Sequence, residues 1–225
     1  MKKHLAFDVY GTLIDPSGVR DLLEEIMGRE ADAFNKIWRE KQLEYSFRRG
    51  LMDDYVDFSV CTKQALNYAC EVTRRQLNGE QKVSLLVRYT ELPAYPDVKA
   101  GLEKVKAAGH RCFAFSNGSK KAVAGLLENA GLSAYFEGIV SAEDVRTFKP
   151  NPEVYAHFCR KAGADKSQAV LISGNSFDVI GAKSFGMRAV WVRRNPDAVF
   201  DPWGIEPDAV AKDLSEVAEV IAFNG

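Results

Sequence analysis

FDVYGTLID, residues 7–15, closes a short apolar run that begins at His4 and places one carboxylate, Asp8, at its end. A glycine follows at 11 and a threonine at 12, and the chain then changes character. A charge at the end of a strand built for burial is costly unless it is paired or used. Three further runs share the composition of HLAFDV (4–9): RCFAFSN (111–117), AVLIS (169–173) and AVWVRR (189–194). All are rich in Val, Ile, Leu or Phe and alternate only weakly, the pattern of strands covered on both faces of a parallel sheet. GIVSAED (138–144) adds a fifth strand end and DAVAKD (208–213) an edge strand. Helical patterns lie between them, at 98–109, 120–131 and 151–163. The third opens Asn-Pro, a cap followed by a preset first turn. Strands alternating with helices predict a doubly wound, Rossmann-like α/β fold with a parallel sheet.

Residues 17–92 break that rhythm. They contain no convincing strand, and helical patterns fill them at 18–27, 31–49, 53–78 and 80–90. The linker ELPAYPD (91–97), with two prolines, returns the chain to α/β alternation. The division predicted is a core of residues 1–16 and 93–225 and a helical insert of 17–92. An insert after the first strand sits above the strand's C-terminal end, where open α/β sheets bind ligands.

The chain has 225 residues, 46% apolar and 27% charged, with a formal net charge of −1. That balance gives no bulk attraction to nucleic acid or anionic lipid. The four cysteines (61, 70, 112 and 159) form no C-x-x-C pair and no Cys/His metal framework, and their scatter fits a reducing compartment. MKKHLAFDVYG has too short an apolar run for a signal peptide, and no stretch approaches the ~20 apolar residues of a membrane span. A cytoplasmic protein is expected, with no nucleic-acid or membrane partner.

In a parallel sheet the C-terminal strand ends meet at one edge. The first delivers Asp8, Tyr10 and Thr12, and the second Ser116, Asn117 and Gly118. The next connection carries Lys149, Pro150 and Tyr155; the fourth strand delivers Ser173, Gly174, Asn175, Phe177 and Asp178. Two carboxylates, one ammonium, amides and hydroxyls then surround one crevice, which favours a site over mere strand ends and caps. On a helix, Arg39, Leu43 and Phe47 fall along one ridge, so Arg39 can face an interface.

D-x-Y-G-T-L (8–13), S-N-G (116–118), K-P-x-x-x-x-Y (149–155) and S-G-N-S-F-D (173–178) together resemble the four motifs of the haloacid dehalogenase superfamily. The match covers nearly the whole chain. It implies that Asp8 is a nucleophile and that the insert is a cap. Most members are phosphatases with D-x-D in the first motif and acids for Mg²⁺ in the last. Here Tyr10 replaces the second Asp, and Asn175 stands where a metal-binding acid would. Halide leaves as a stable anion and needs no proton, so a general acid is superfluous. A monocarboxylate substrate also lacks the phosphoryl charge that makes Mg²⁺ useful. FNKIWREKQLEYSFRRGLM (34–52) further resembles the cap helix of L-2-haloacid dehalogenases, whose arginine is Arg39 here.

The resemblance implies hydrolysis of 2-haloalkanoic acids through an ester on Asp8, with no cofactor and no metal. Lys149 keeps Asp8 ionised. Asp178, with Asn175, orients or activates water, and Thr12, Tyr155 and Ser173 orient the others. Arg39 and Asn117 hold the halide beside the Phe177 ring, and Ser116 and backbone N–H groups near residues 9 and 10 take the substrate carboxylate. Tyr10 and Tyr155 are counted with these substrate- and halide-binding residues, and Phe58 reaches the apolar pocket that the family builds from cap residues. Relatives are often homodimers. Two rivals stay open: a Mg²⁺-dependent phosphatase using Asp8, Lys149 and Asp178, and a catalytically idle binding protein. His4, His110 and His157, Asp15 as a cap, Trp38 and Tyr45 as cap core, and Trp191 as sheet core are read as structural. Arg48, Arg49 and Glu40 are read as solvated. Gly174, where many relatives carry serine, raises the expectation of an altered water site.

Overall fold

The computed structural model describes residues 2–223. Six parallel strands form one sheet: β1 (His4–Asp8), β2 (Arg111–Ser116), β3 (Gly138–Ser141), β4 (Ala169–Ser173), β5 (Arg188–Val192) and β6 (Ala209–Ala211), in the order β3-β2-β1-β4-β5-β6. β1 is central, so its end is the switch point where the strand order reverses and a crevice opens. Successive side chains of a strand face opposite sides. Leu5 and Phe7 accordingly join one core with helices α5 (Val98–Ala107), α6 (Lys120–Asn129) and α9 (Val217–Phe223). Ala6 joins the other with α7 (Pro152–Ala162) and α8 (Ser176–Phe185). Asp8 shares the side of Ala6 and so meets the start of α8.

Between β1 and α5 lie four helices and no strand: α1 (Arg20–Met27), α2 (Ala31–Leu51), α3 (Phe58–Val72) and α4 (Gly79–Tyr89). The chain leaves and returns through a paired stem. Ile14 bridges Ala94, Asp15 N–H donates to Pro93 O at 2.8 Å, and Tyr95 N–H donates to Leu13 O at 3.1 Å. Asp15 is a cap, accepting from the Ser17 N–H at 2.9 Å. The apolar core continues unbroken from Tyr10, Leu13 and Ile14 into Phe34, Trp38 and Phe58 of the insert.

The helix predicted over 53–78 is shorter than its periodicity suggests. Asp57 accepts from Ser59 N–H and starts α3 at Phe58, while Asp53 (φ 53°) and Arg74 (φ 54°) take left-handed backbone that no helix contains. The start at 18 is likewise a 3₁₀ turn over Pro16–Val19, and β3 stops where Ser141 caps a further turn. Tyr45 lies half-buried at the margin of the apolar core, packed against it and edge-on to Tyr68 at 6.3 Å. Arg49 is not solvated either: it pairs with Asp54 and donates to Gln64 at 3.2 Å. Among the described residues no helix is long and apolar enough to cross a membrane.

One glycine sets how closely α8 approaches α7. A Cβ on Gly181 would lie 2.3 Å from the Tyr155 hydroxyl oxygen and 2.7 Å from Pro150 Cβ. Gly181→Ala gains up to about 1 kcal/mol of helix propensity. It also overpacks a filled core, which costs about 1–3 kcal/mol. The expected net result is a loss centred on about 1 kcal/mol, read as a lower urea midpoint at unchanged m-value.

Candidate active site

Asp8 ends β1 with its side chain nearly buried, and its two oxygens differ in their partners. Oδ2 accepts from Thr12 Oγ1 at 2.8 Å, Asn175 Nδ2 at 2.7 Å and Ser173 Oγ at 3.3 Å. Among the described residues, Oδ1 accepts from Lys149 Nζ alone, at 3.1 Å. The donors are themselves held. Thr12 accepts from Gly174 N–H at 2.8 Å, Ser173 accepts from Asn175 N–H at 3.1 Å, and Asn175 Nδ2 also donates to Tyr10 O at 2.9 Å. Because both partners of that nitrogen are acceptors, the Asn175 amide has one possible orientation.

Lys149 is 1% exposed, and its ammonium makes three bonds. Besides Asp8, it donates to Asp178 Oδ2 at 2.8 Å and to the Phe115 carbonyl at 2.9 Å. Three donors meet three acceptors, which is what makes such a buried cation tolerable. Its backbone N–H donates to Asn117 Oδ1 at 2.8 Å, so the Asn117 NH₂ end is turned away from that bond. Asp178 is fully buried on the first turn of α8. Burial pushes its carboxyl up to about 6; the Lys149 ammonium pulls the other way, and the Asp8 charge adds to the rise.

Tyr155 does not line the crevice as a substrate contact. It is fully buried in the core beneath Asp178 and donates to Asp178 Oδ1 at 2.8 Å. Its place on α7 lets it hold that carboxylate from below. Gly174 is also resolved by geometry: a Cβ there would lie 2.3 Å from the Gly11 carbonyl oxygen. With this backbone, position 174 serves the close approach of two loops and sends no side chain toward water.

The remaining residues sit where the insert meets the sheet edge. Arg39, on α2, donates to the Tyr10 carbonyl at 3.4 Å, a long contact to the same oxygen that Asn175 holds. Arg39 therefore lies beside the Asp8 cluster. Phe177 packs edge-on against Phe47 of α2 with centroids 4.9 Å apart. Ser116 Oγ accepts from Gly118 N–H at 3.0 Å. Tyr10 stacks on Tyr89 and packs against Phe58, both at 5.8 Å between centroids. Burial pushes its hydroxyl well above the usual tyrosine value, so it stays neutral and is a far weaker proton donor than a carboxylic acid. A cleft of about 390 Å³, mainly apolar, opens beyond Tyr10 between Phe58, Leu86, Val87 and Gly118. Glu40 is exposed and faces Lys36, away from the cluster. The histidines are structural: His4 bonds the Ala162 carbonyl, His110 accepts from Lys3 N–H, and His157 pairs with Asp144.

The donors do not suit a divalent cation. Both carboxylates are turned onto one ammonium, and Asn175 presents nitrogen, not oxygen, to Asp8. Sequence reasoning missed two supports. Arg194 donates to the Thr12 carbonyl and to Asp97, bracing the loop that carries Thr12. Gln42 contacts Arg39; its signal was its place in the buried stripe 31, 34, 38, 42 of α2, four residues after Trp38.

Residues 2–186 match the family model of haloacid dehalogenase-like hydrolases. An (S)-2-haloacid dehalogenase of Pseudomonas fluorescens is 34% identical over 94% of this chain and 93% of that protein. (S)-2-haloacid dehalogenase 4A of Burkholderia cepacia is 36% identical over 97% and 94%. The solved structure of the Xanthobacter autotrophicus L-2-haloacid dehalogenase with chloropropionic acid covalently bound superposes with a TM-score of 0.89, at 30% identity over 99% of each chain. Likeness at this level runs through insert and sheet alike, and on it the chain belongs to the haloacid dehalogenase-like hydrolases, within the L-2-haloacid dehalogenase family.

Proposed function

We propose that the protein hydrolyses (S)-2-haloalkanoic acids to (R)-2-hydroxyalkanoic acids, with Asp8 as nucleophile and residues 17–92 as the cap. The observation that carries this reading is the asymmetry of the Asp8 carboxylate: among the described residues, three donors reach Oδ2 and the Lys149 ammonium alone reaches Oδ1. Oδ1 keeps a lone pair for in-line attack on C2. The C2–halogen bond breaks as the C2–O bond forms, configuration inverts, and halide departs with the bonding pair. Arg39 and the Asn117 amide hold that anion, with the Phe177 ring beside it. Ser116 and loop N–H groups receive the substrate carboxylate.

Water then attacks Cγ of the Asp8 ester. Asp178, as carboxylate, takes the water proton. Charge collects on Oδ2, where Thr12, Ser173 and Asn175 already point their donors, a preorganised cradle for an oxyanion. Collapse breaks the Cγ–Oδ1 bond and expels the 2-hydroxy acid alkoxide, which recovers the proton held by Asp178. The second water proton, left on the new Asp8 carboxyl, passes to solvent and restores the carboxylate. The phosphatase reading is not favoured: Tyr10 stands in place of a carboxylic acid and is a much weaker one, and the related proteins and structures carry dehalogenase names.

Chloride release from (S)-2-chloropropionate is expected to proceed unchanged in EDTA, with p-nitrophenyl phosphate untouched. Asp8→Asn is expected to lower it by about 10⁴-fold or more. Metal-dependent turnover would refute the proposal.

The ester step has a pH signature. Esterification removes the Asp8 charge, one of the two effects that raise Asp178. The acid limb of ester decay should therefore lie below about 6, where free Asp178 titrates. Single-turnover quench across pH 4 to 8 reads it; a flat profile argues against Asp178 as the base.

Asp178→Asn separates stability from catalysis. A carboxyl whose folded pKa is raised binds its proton more tightly when folded, so stability declines as pH rises from about 4 through 6. At pH 7.5 the amide removes that cost while Lys149 keeps Asp8. The variant should be at least as stable to urea as wild type, and should accumulate the acyl mass on Asp8 in intact-protein mass spectrometry.

A further inference from the structure

Gln42 is fully buried in the insert, on the stripe of α2 that also carries Ala31, Phe34, Trp38 and the small Ser46. Leucine or methionine would fill such a position at no polar cost. Gln42 instead anchors a closed network. Its Oε1 accepts from Arg39 Nη1 at 2.6 Å and from the Tyr89 hydroxyl at 2.9 Å. Its Nε2 donates to Thr62 Oγ1 at 2.6 Å, and that hydroxyl donates to the Phe58 carbonyl at 3.0 Å. Three helices, α2, α3 and α4, thus fix which way the amide faces. Tyr89 is held in turn by its stacking on Tyr10 and its contact with Trp38, at 5.8 and 5.4 Å between centroids.

The charge on Arg39 explains why an amide sits there. Among the described residues the guanidinium is bonded to two neutral acceptors, the Gln42 amide oxygen and the Tyr10 carbonyl, and to no carboxylate. A glutamate of the same shape would hold the same geometry but neutralise the cation. An apolar residue would leave the guanidinium without its closest partner. Only a neutral acceptor both aims Arg39 at the sheet edge and leaves its charge uncompensated for an incoming anion.

We infer that Gln42 is a positioning residue for Arg39, aiming the guanidinium through a neutral bond so that its charge serves the halide and the substrate. The inference rests on the role of Arg39 in the proposed function. A purely structural Gln42, tying three helices together, would affect stability alone.

Chloride release from (S)-2-chloropropionate, inhibition by bromide, and Tm test it. Gln42→Glu should lose roughly tenfold or more in kcat/KM and in bromide affinity, with Tm little changed, because the new carboxylate claims the guanidinium. Gln42→Met, which removes the acceptor, should move both readouts the same way. Thr62→Val, which removes only the far anchor of the amide, should do so by about two- to threefold. Any folded Gln42 variant with wild-type kcat/KM and wild-type bromide inhibition overturns the inference while leaving the function standing. Wild-type protein that releases no halide overturns the function and the inference together.

Discussion

One ammonium, that of Lys149, bridges Asp8 at 3.1 Å and Asp178 at 2.8 Å, and the rest of the site depends on it. The carboxylates come from β1 and α8, two elements far apart in the chain. Without a cation between them, two nearly buried carboxylates would not both stay ionised, and one would hold a proton. The Phe115 carbonyl and the Asn117 side chain fix the lysine from β2 and its loop. Four strand ends are thereby tied to one charge. In the proposed reaction this arrangement keeps one carboxylate able to attack carbon and leaves the other raised enough to accept a proton from water.

The insert supplies what the sheet edge lacks. Counted as formal charges, Asp8, Asp178 and Lys149 sum to −1, and a monoanionic substrate would be repelled. Arg39 brings the sum to zero. It arrives from a helix whose chain leaves and re-enters the core through a stem a few residues wide, so the apolar contacts of Tyr10, Phe58 and Phe148 must register the two parts. The polar network round Gln42 does for Arg39 what Tyr155 does for Asp178: a buried partner fixes the direction of a charged group. The two partners differ in sign of purpose. Tyr155 donates to an anion, whereas Gln42 accepts from a cation without cancelling it.

Tyr10 joins the two halves. Its carbonyl is shared by Asn175 and Arg39, and its ring packs among insert aromatics. A carboxylate at this position would bring a third negative charge to the place where the proposed reaction gathers halide. The buried, neutral ring removes that repulsion and leaves only a weak proton donor in place of a carboxylic acid, as suits a leaving group that needs no proton.

Much of this was legible in the linear chain. The strands are continuous apolar runs because both faces are covered, so composition alone reveals them. Asp8, Lys149 and Asp178 are legible because parallel strands bring their C-terminal ends to one edge whatever the details of packing. Helix limits in the insert were not, since Asp57, Asp53 and Arg74 end helices through single backbone angles and caps that periodicity does not register. The sequence by itself determined the sheet, the place of the insert and the set of reactive groups, because local pattern and strand polarity suffice for these. Only the tertiary structure decided that Tyr155 lies beneath Asp178, that Gly174 serves loop approach, and that Gln42 holds Arg39. Those facts depend on which side chains meet across helices distant in sequence, at separations of a few ångströms that no spacing rule encodes.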